Sequence, residues 1–349
     1  MDNTTTNIKV QQKKTLWYQY IIAFFLIIIA YWGVTTNSDW GGYEYWFDYD
    51  ATGTDRAFVF LSAWFNAQGL SFRMLYRFHI LLIAFFYTLL FKRLKANPII
   101  FSIVLLLFSY DAVGNQIRFF VGLPMALLAL YDIVEKKYIR ATLLGVMAFF
   151  FHSSLALLFA IFFFYYFILR HIEYTWRVFF IIVANFVLYY VVHETNMSAS
   201  LSGNYETYLT SADRVSSVIG GIYNLITALL YIGFAYVVNK EIRKVQPSFT
   251  ATKEYRYLYT CIMMGTVLFI CSIQTQIIAH RMMNMAMMPI WLTYFIRAKS
   301  LRVKIINERV NTAVVIIFIF VTLHTLGFFT GSDSYIYHVR EMLNSYTLK

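Results

Sequence analysis

Apolar residues run through this chain in long blocks, broken by short polar stretches that are mostly basic. A helix needs roughly 20 apolar residues to cross a hydrocarbon core. The blocks predict spans near 15–34, 72–91, 98–111, 119–134, 141–151, 153–169, 178–193, 218–238, 257–273, 282–296 and 310–329. The period-2 alternation of a membrane β-barrel is absent. The pattern therefore predicts an all-α, polytopic integral membrane protein with about 11 transmembrane helices.

The apolar stretch 141–169 holds HSS at its middle. As one helix, its roughly 29 residues would measure roughly 43 Å, well over a hydrocarbon core. The flanking EKKYIR (135–140) and RHIEYTWR (170–177) are both basic and belong on one side. The chain must go out and come back, turning at His152-Ser153-Ser154. The spans 98–111 and 119–134 are also short. Both pairs read as helical hairpins whose tips lie near the outer face and border a depression there.

With the N-terminus in the cytoplasm, 21 of the 29 Lys and Arg fall inside; Arg56, Arg73, Arg77, Arg118, Arg214, Arg281, Arg340 and Lys349 fall outside. That is a positive-inside distribution. One membrane domain, 1–349, follows, with a cytoplasmic N-terminus (1–14), outer loops at 35–71 and 194–217, and an outer tail at 330–349. The first apolar run is long and lacks a small-residue cleavage site, so it reads as an uncleaved span.

Composition agrees: 60% of residues are hydrophobic and 13% charged, against roughly a quarter charged in soluble domains. The net charge of +11 lies between spans, not on one soluble face, which argues for topology and against nucleic acid. Cys261 and Cys271 lack metal-ligand spacing and read as packing residues.

The chemistry lies in polar residues that interrupt the apolar runs. In DAVGNQIRFF (111–120), Asp111, Asn115 and Arg118 share one face if the segment is helical. Gly114 favours a bent turn instead. Arg118 either pairs with Asp111 as an internal ion pair or forms an anion site, since guanidinium grips phosphate oxygens with parallel hydrogen bonds. Arg281 sits comparably in QTQIIAHRMMNM, beside His280, with Gln274 and Asn284 close by. Pro124 and Pro289 follow the two arginines within their spans and predict kinks. His152, at a hairpin tip, is either a helix–helix hydrogen bond or a group that binds phosphate or moves a proton.

The first outer loop opens NSDWGGYEYWFDYD, with Asp39, Glu44, Asp48, Asp50 and Asp55. Trp40, Tyr43, Tyr45 and Trp46 suit either sugar stacking or an interfacial aromatic belt. Tyr205, Glu206 and Tyr208 in the second loop have the same two readings, and Arg214 lies beside them. DYD is a weak metal signal, and no histidine or cysteine spacing supports a metal site; neither metal nor cofactor is expected.

GNQIRFFVGLPMALLAL, followed after a basic turn by FFFHSSLALL, resembles the EpsG family of Wzy-type bacterial polysaccharide polymerases. Arg118 matches that family's arginine, His152 its later histidine, Asp39 with Tyr43 or Tyr45 its acidic-aromatic opening, and Arg281 its late arginine. Phe119 stands where the family often has glutamine, and Trp40 where tyrosine is usual after Asp39. The resemblance implies a glycosyltransferase joining undecaprenyl-diphosphate-linked oligosaccharides on the outer side of the bacterial plasma membrane. Membrane lipid, a flippase and a chain-length regulator are the other partners it implies. Under it, Arg118, Arg281, His152 and Asp39 are the catalytic candidates, with Asp39 as base and Asp111 and Glu206 in reserve. Asn115, Gln116, Asp111, Tyr43, Tyr205, Glu206, Arg214 and His280 are the substrate-binding candidates. A flippase for lipid-linked sugars is the alternative, and a membrane O-acyltransferase using His152 with Asn115 is a weaker one.

Overall fold

One helix is apolar around its circumference between a charged residue near each end, and such a helix belongs at the centre of a bundle. This is α6 (Ile117–Val134), in which every residue but Arg118 is buried. A computed structural model describes residues 16–49, 55–193, 222, 226, 239, 240, 242–244, 247–267 and 335–347. Around α6 pack α4 (Phe72–Arg93), α5 (Pro98–Asn115), α7 (Tyr138–Phe151), α8 (Ala156–Phe163) and α10 (Lys253–Val267). Outside these lie α1 (Trp17–Trp32), against α4 and α5, and α9 (Tyr174–His193), against α10.

The regular structure among the described residues is all helical, and the protein is a multi-pass membrane protein. Three helical stretches among the described residues are long and apolar enough to cross a membrane: Phe72–Arg93, Ile117–Val134 and Ser153–His171. The bent α5 makes a fourth if its two limbs count as one span. The helices α1 and α7 are apolar but shorter. The expected spans 218–238, 282–296 and 310–329 lie outside the described residues, save Ile222 and Ile226, and 257–273 lies partly outside.

Helix ends follow local chemistry. Asn97 caps α5 by accepting from the Ile99 and Ile100 N–H groups at 3.1 and 3.3 Å, with Pro98 at the first helical position. The sharp bend lies at Ser109 in α5, where the limbs meet at 81°. No break occurs at Pro124: α6 runs through it unbroken.

The turn expected at 152–154 is present. α7 ends at Phe151, His152 is extended, and a short 3-10 turn, Ser153–Leu155, opens α8. The return is antiparallel, because a Cβ on Gly145 would lie 3.3 Å from Phe159, and both residues are equally far in sequence from His152. Gly122 of α6 faces the same turn; a Cβ there would meet Leu155 at 2.5 Å and the Ala148 carbonyl at 2.9 Å. Glycine is what lets α6 reach the hairpin.

Where the sequence suggested only a long loop at 35–71, two helices form. They are α2 (Trp40–Asp48) and α3 (Arg56–Ala67). Their buried faces are Trp40/Tyr43/Phe47 and Phe58/Ser62/Phe65, both at helical spacing. Exposed Tyr45, Tyr49, Phe60 and Trp64 on their other faces hide that period in the sequence. The C-terminal helix α11 (Tyr335–Asn344) packs on α5 at this same end.

Candidate functional site

The α5–α6 junction sets the site. The helix stops at Gln116, whose backbone (φ −104°, ψ 50°) is not helical, and restarts at Ile117. Asp111 and Asn115 therefore belong to one helix and Arg118 to the next. The shared helical face expected over 111–118 is broken, and the bent turn is the form observed. Asn115 donates from Nδ2 to Asp111 Oδ1 at 2.6 Å.

Arg118 sits in the first turn of α6, where a cation opposes the helix dipole. It needs an acid, and the acid is Asp55. Nη1 donates to Asp55 Oδ2 at 2.9 Å, and both side chains are only 13% exposed. The Asp111–Arg118 ion pair weighed from the sequence is replaced by this one. Asp55 precedes α3 in extended conformation and makes no side-chain cap. Its carboxylate is turned instead towards Arg118 and the hairpin tip, where Oδ1 accepts from the Ser153 N–H at 3.0 Å. One carboxylate thus ties α3, α6 and the α7–α8 turn together.

Aromatic rings line the guanidinium. Arg118 Cζ lies 5.1 Å from the Tyr43 ring centroid, 5.2 Å from Trp46 and 5.6 Å from Phe58. These distances suit cation–π attraction. Tyr43 is buried, so its ring supports Arg118 and has no open face for a sugar.

His152 stands beside this knot. Its ring packs edge-on against Phe119 at 5.3 Å, and Nδ1 is 2.7 Å from Ser154 Oγ. Phe119, at a position where the resemblance anticipates glutamine, is thus the residue that seats the histidine. Arg118 and His152, 34 positions apart, are brought to one junction.

Asp39 lies elsewhere on the same end. It is exposed, and it begins α2 one turn before Tyr43. Asn37, two residues before it, donates from Nδ2 to Gly114 O at 3.1 Å. Gln116 places Oε1 in the interior, without a hydrogen-bond partner among the described residues. Arg281, His280, Tyr205, Glu206 and Arg214 lie outside the described residues. No three His, Cys, Asp or Glu among the described residues are placed to hold a metal ion.

Sequence reasoning missed Asp55 as a partner. The available signal was charge arithmetic, since a membrane arginine needs an acid and the first outer loop is where acids concentrate. It also missed the packing of α11 on α5, which brings His338 and Glu341 to this end.

The class that these features define is a multi-pass helical membrane protein with a guarded arginine and a histidine-bearing hairpin tip at one end. The chain belongs to the EpsG family, whose model matches residues 16–338. No curated protein and no solved structure matches it.

Proposed function

We propose that this protein is a polysaccharide polymerase. It transfers a growing glycan from its polyprenyl diphosphate to a hydroxyl of the next lipid-linked repeat unit, on the outer side of the plasma membrane. The observation that carries this reading is the Asp55 carboxylate shared between Arg118 and Ser153, with His152 at the same turn, in a chain of this family.

The acceptor oxygen attacks the anomeric carbon, the bond from that carbon to the diphosphate oxygen breaks, and the diphosphate leaves with the electron pair. Negative charge grows on the leaving group, and a preorganised donor aimed at it contributes roughly 3–4 kcal/mol to the barrier. Arg118 has that role: its planar fork matches phosphate oxygens, and the rings of Tyr43, Trp46 and Phe58 hold the plane. An arriving diphosphate competes with Asp55 for the fork. Asp55 is therefore a positioning residue that keeps Arg118 and the tip aligned in the resting protein. His152 binds or protonates the diphosphate, and Arg281 is its second cation. The hydroxyl proton goes to a carboxylate, Asp39 first, with general-base help of about 10²–10⁴ in rate.

The test replaces Arg118 by Ala in cells and follows polymer length, external single units and membrane level of the protein. Loss of long chains with single units still delivered outside is the expected outcome. Loss of the external single units would mean a flippase. Unchanged polymer would end the proposal.

A further inference from the structure

Two buried polar atoms beside the Arg118 site take no part in the chemistry described so far. His79 of α4 has no exposed surface, and its Nδ1–H donates to Leu75 O at 2.9 Å, one turn back. A carbonyl can only accept, so Nδ1 carries the ring hydrogen and Nε2 presents a lone pair. That Nε2 is buried and has no hydrogen-bond partner among the described residues. Ser62 of α3 is 2% exposed, and its Oγ is likewise buried without a partner among them. A hydroxyl donor and an imidazole acceptor are complementary, and each carries a desolvation cost that pairing with the other would remove.

Both groups belong to elements that pack together, α3 on α4. The Phe58 ring of α3 lies 5.9 Å from the His79 ring, and the Phe65 ring lies 5.6 Å from Phe78. Phe58, Ser62 and Phe65 form the buried face of α3, so Ser62 lies between two contacts made with adjacent residues of α4. It follows Phe58 by four positions, a rise of about 6 Å. Nδ1 turns to the backbone of α4 itself, which leaves Nε2 on the outward side of the ring, where Phe58 and Phe151 pack. A displacement of α3 along α4 by less than one turn, about 5.4 Å, brings Oγ and Nε2 together. The tether of α3 is Asp55, the residue before it. Its carboxylate is tied to Arg118 at 2.9 Å and to the Ser153 N–H at 3.0 Å. A diphosphate that takes the Arg118 fork from Asp55 releases the start of α3.

We propose that Ser62 and His79 are positioning residues of the site: in the substrate-bound protein α3 shifts on α4 until Ser62 Oγ donates to His79 Nε2, and this bond keeps Asp55 off the Arg118 fork. This rests on the polymerase reading, which supplies the anion. Two tethers of one helix then alternate. Asp55 holds α3 when the fork is empty of substrate, and the Ser62–His79 bond holds it when the fork is filled. A phenylalanine at 79 would fill the same apolar surroundings without a buried lone pair, so the stability of the resting protein alone gives no reason for a histidine there.

The test uses the full chain in nanodiscs and measures its melting and its binding of undecaprenyl diphosphate. Without that lipid, Ser62→Ala and His79→Phe should each melt at or above the wild-type temperature, since each removes a buried unpaired group. Each should bind undecaprenyl diphosphate about fivefold more weakly, the loss of one neutral hydrogen bond. The double variant should bind no more weakly than either single one. His79→Gln, whose side-chain amide reaches the Nε2 position, should recover wild-type binding; His79→Asn, which reaches only the Nδ1 position, should not. Variants that melt lower without the lipid and bind it normally would reduce the pair to a static fastening and overturn the proposal, as would losses that add. Arg118→Ala tests the polymerase reading separately: if it leaves undecaprenyl diphosphate binding intact, that reading loses its diphosphate site. The alternation of tethers is then still read in Asp55→Asn without lipid. There Ser62→Ala should lower the melting temperature by about 2 °C, although it does not in the wild-type background. Equal melting of Asp55→Asn with and without Ser62→Ala overturns the proposal whatever Arg118→Ala does.

Discussion

The two ends of α6 hold charge in opposite ways. At the Val134 end, Asp132 is almost wholly buried and receives both Arg93, at 3.0 Å, and Arg140, which grips both carboxylate oxygens. Glu135 beside it pairs with Arg93 and, at 2.6 Å, with Lys137. Here acids are surrounded by cations, and the network closes on itself across α4, α6 and α7. The Ile117 end differs: a cation on the inner helix is faced by the acid that precedes the distant α3, and three aromatic rings stand around it. A buried acid bracketed by two arginines is a fastening. An arginine kept in place by rings and by one carboxylate is, in the polymerase proposed above, the receptor for an anion that displaces that carboxylate. The ion pairs look alike in sequence, and their surroundings separate them.

The largest expected effect comes from breaking the fastening. Removing one partner of a buried pair costs about 3–5 kcal/mol. Arg93 and Arg140 are partly open to solvent, with side-chain exposures of 28% and 51%, which places Asp132→Ala near the low end of that range. A melt of the detergent-solubilised protein should show a clear loss of stability and reduced membrane level. If Asp132→Ala melts like wild type, the two ends do not differ in the manner described.

A smaller loss of stability, with a larger loss of product, is expected at the other end. Asp55→Asn keeps the shape but removes the charge facing Arg118 and weakens the bond to the Ser153 N–H. Hydrogen bonds to charged groups contribute about 1.5–3 kcal/mol, and the amide still pairs in part, so destabilisation should fall at or below the lower figure. Polymer length should nevertheless drop, because Arg118 and the tip lose their common anchor. Full-length polymer from Asp55→Asn, at wild-type protein level, would remove Asp55 from the site.

These two positions also mark how far the sequence could be read. The hairpin turn at 152–154 was legible because bilayer thickness forbids one helix over 141–169, so a length argument fixed it. A common level for Arg118 and His152 followed from the same argument, since both fall at the ends of spans; their lateral nearness did not. The Asp55 partnership was not legible, because it spans 63 positions and depends on α3 folding under the end of the bundle. Nor was the break at Gln116, where a helical face drawn through 111–118 looked continuous although the backbone turns between Asn115 and Ile117. Periodicity reports burial along one element. It does not report which distant loop supplies a counter-charge.

The smallest expected effect lies at the rim of the fastening. Lys137 pairs with Glu135 at 2.6 Å, but its side chain is 49% exposed, and Glu135 retains Arg93 when it is gone. Exposed pairs of this kind typically contribute about 0–1 kcal/mol, screened further by salt. Lys137→Ala should therefore melt within about 1 kcal/mol of wild type and make polymer of normal length. The comparison needs this null: if Lys137→Ala were as harmful as Asp132→Ala, basic charge at this end would matter by its sum, through topology or lipid headgroups, and not through the closed network around Asp132. Measuring both variants at low and at high salt separates the two explanations, since a buried pair is little screened and a rim pair is strongly screened.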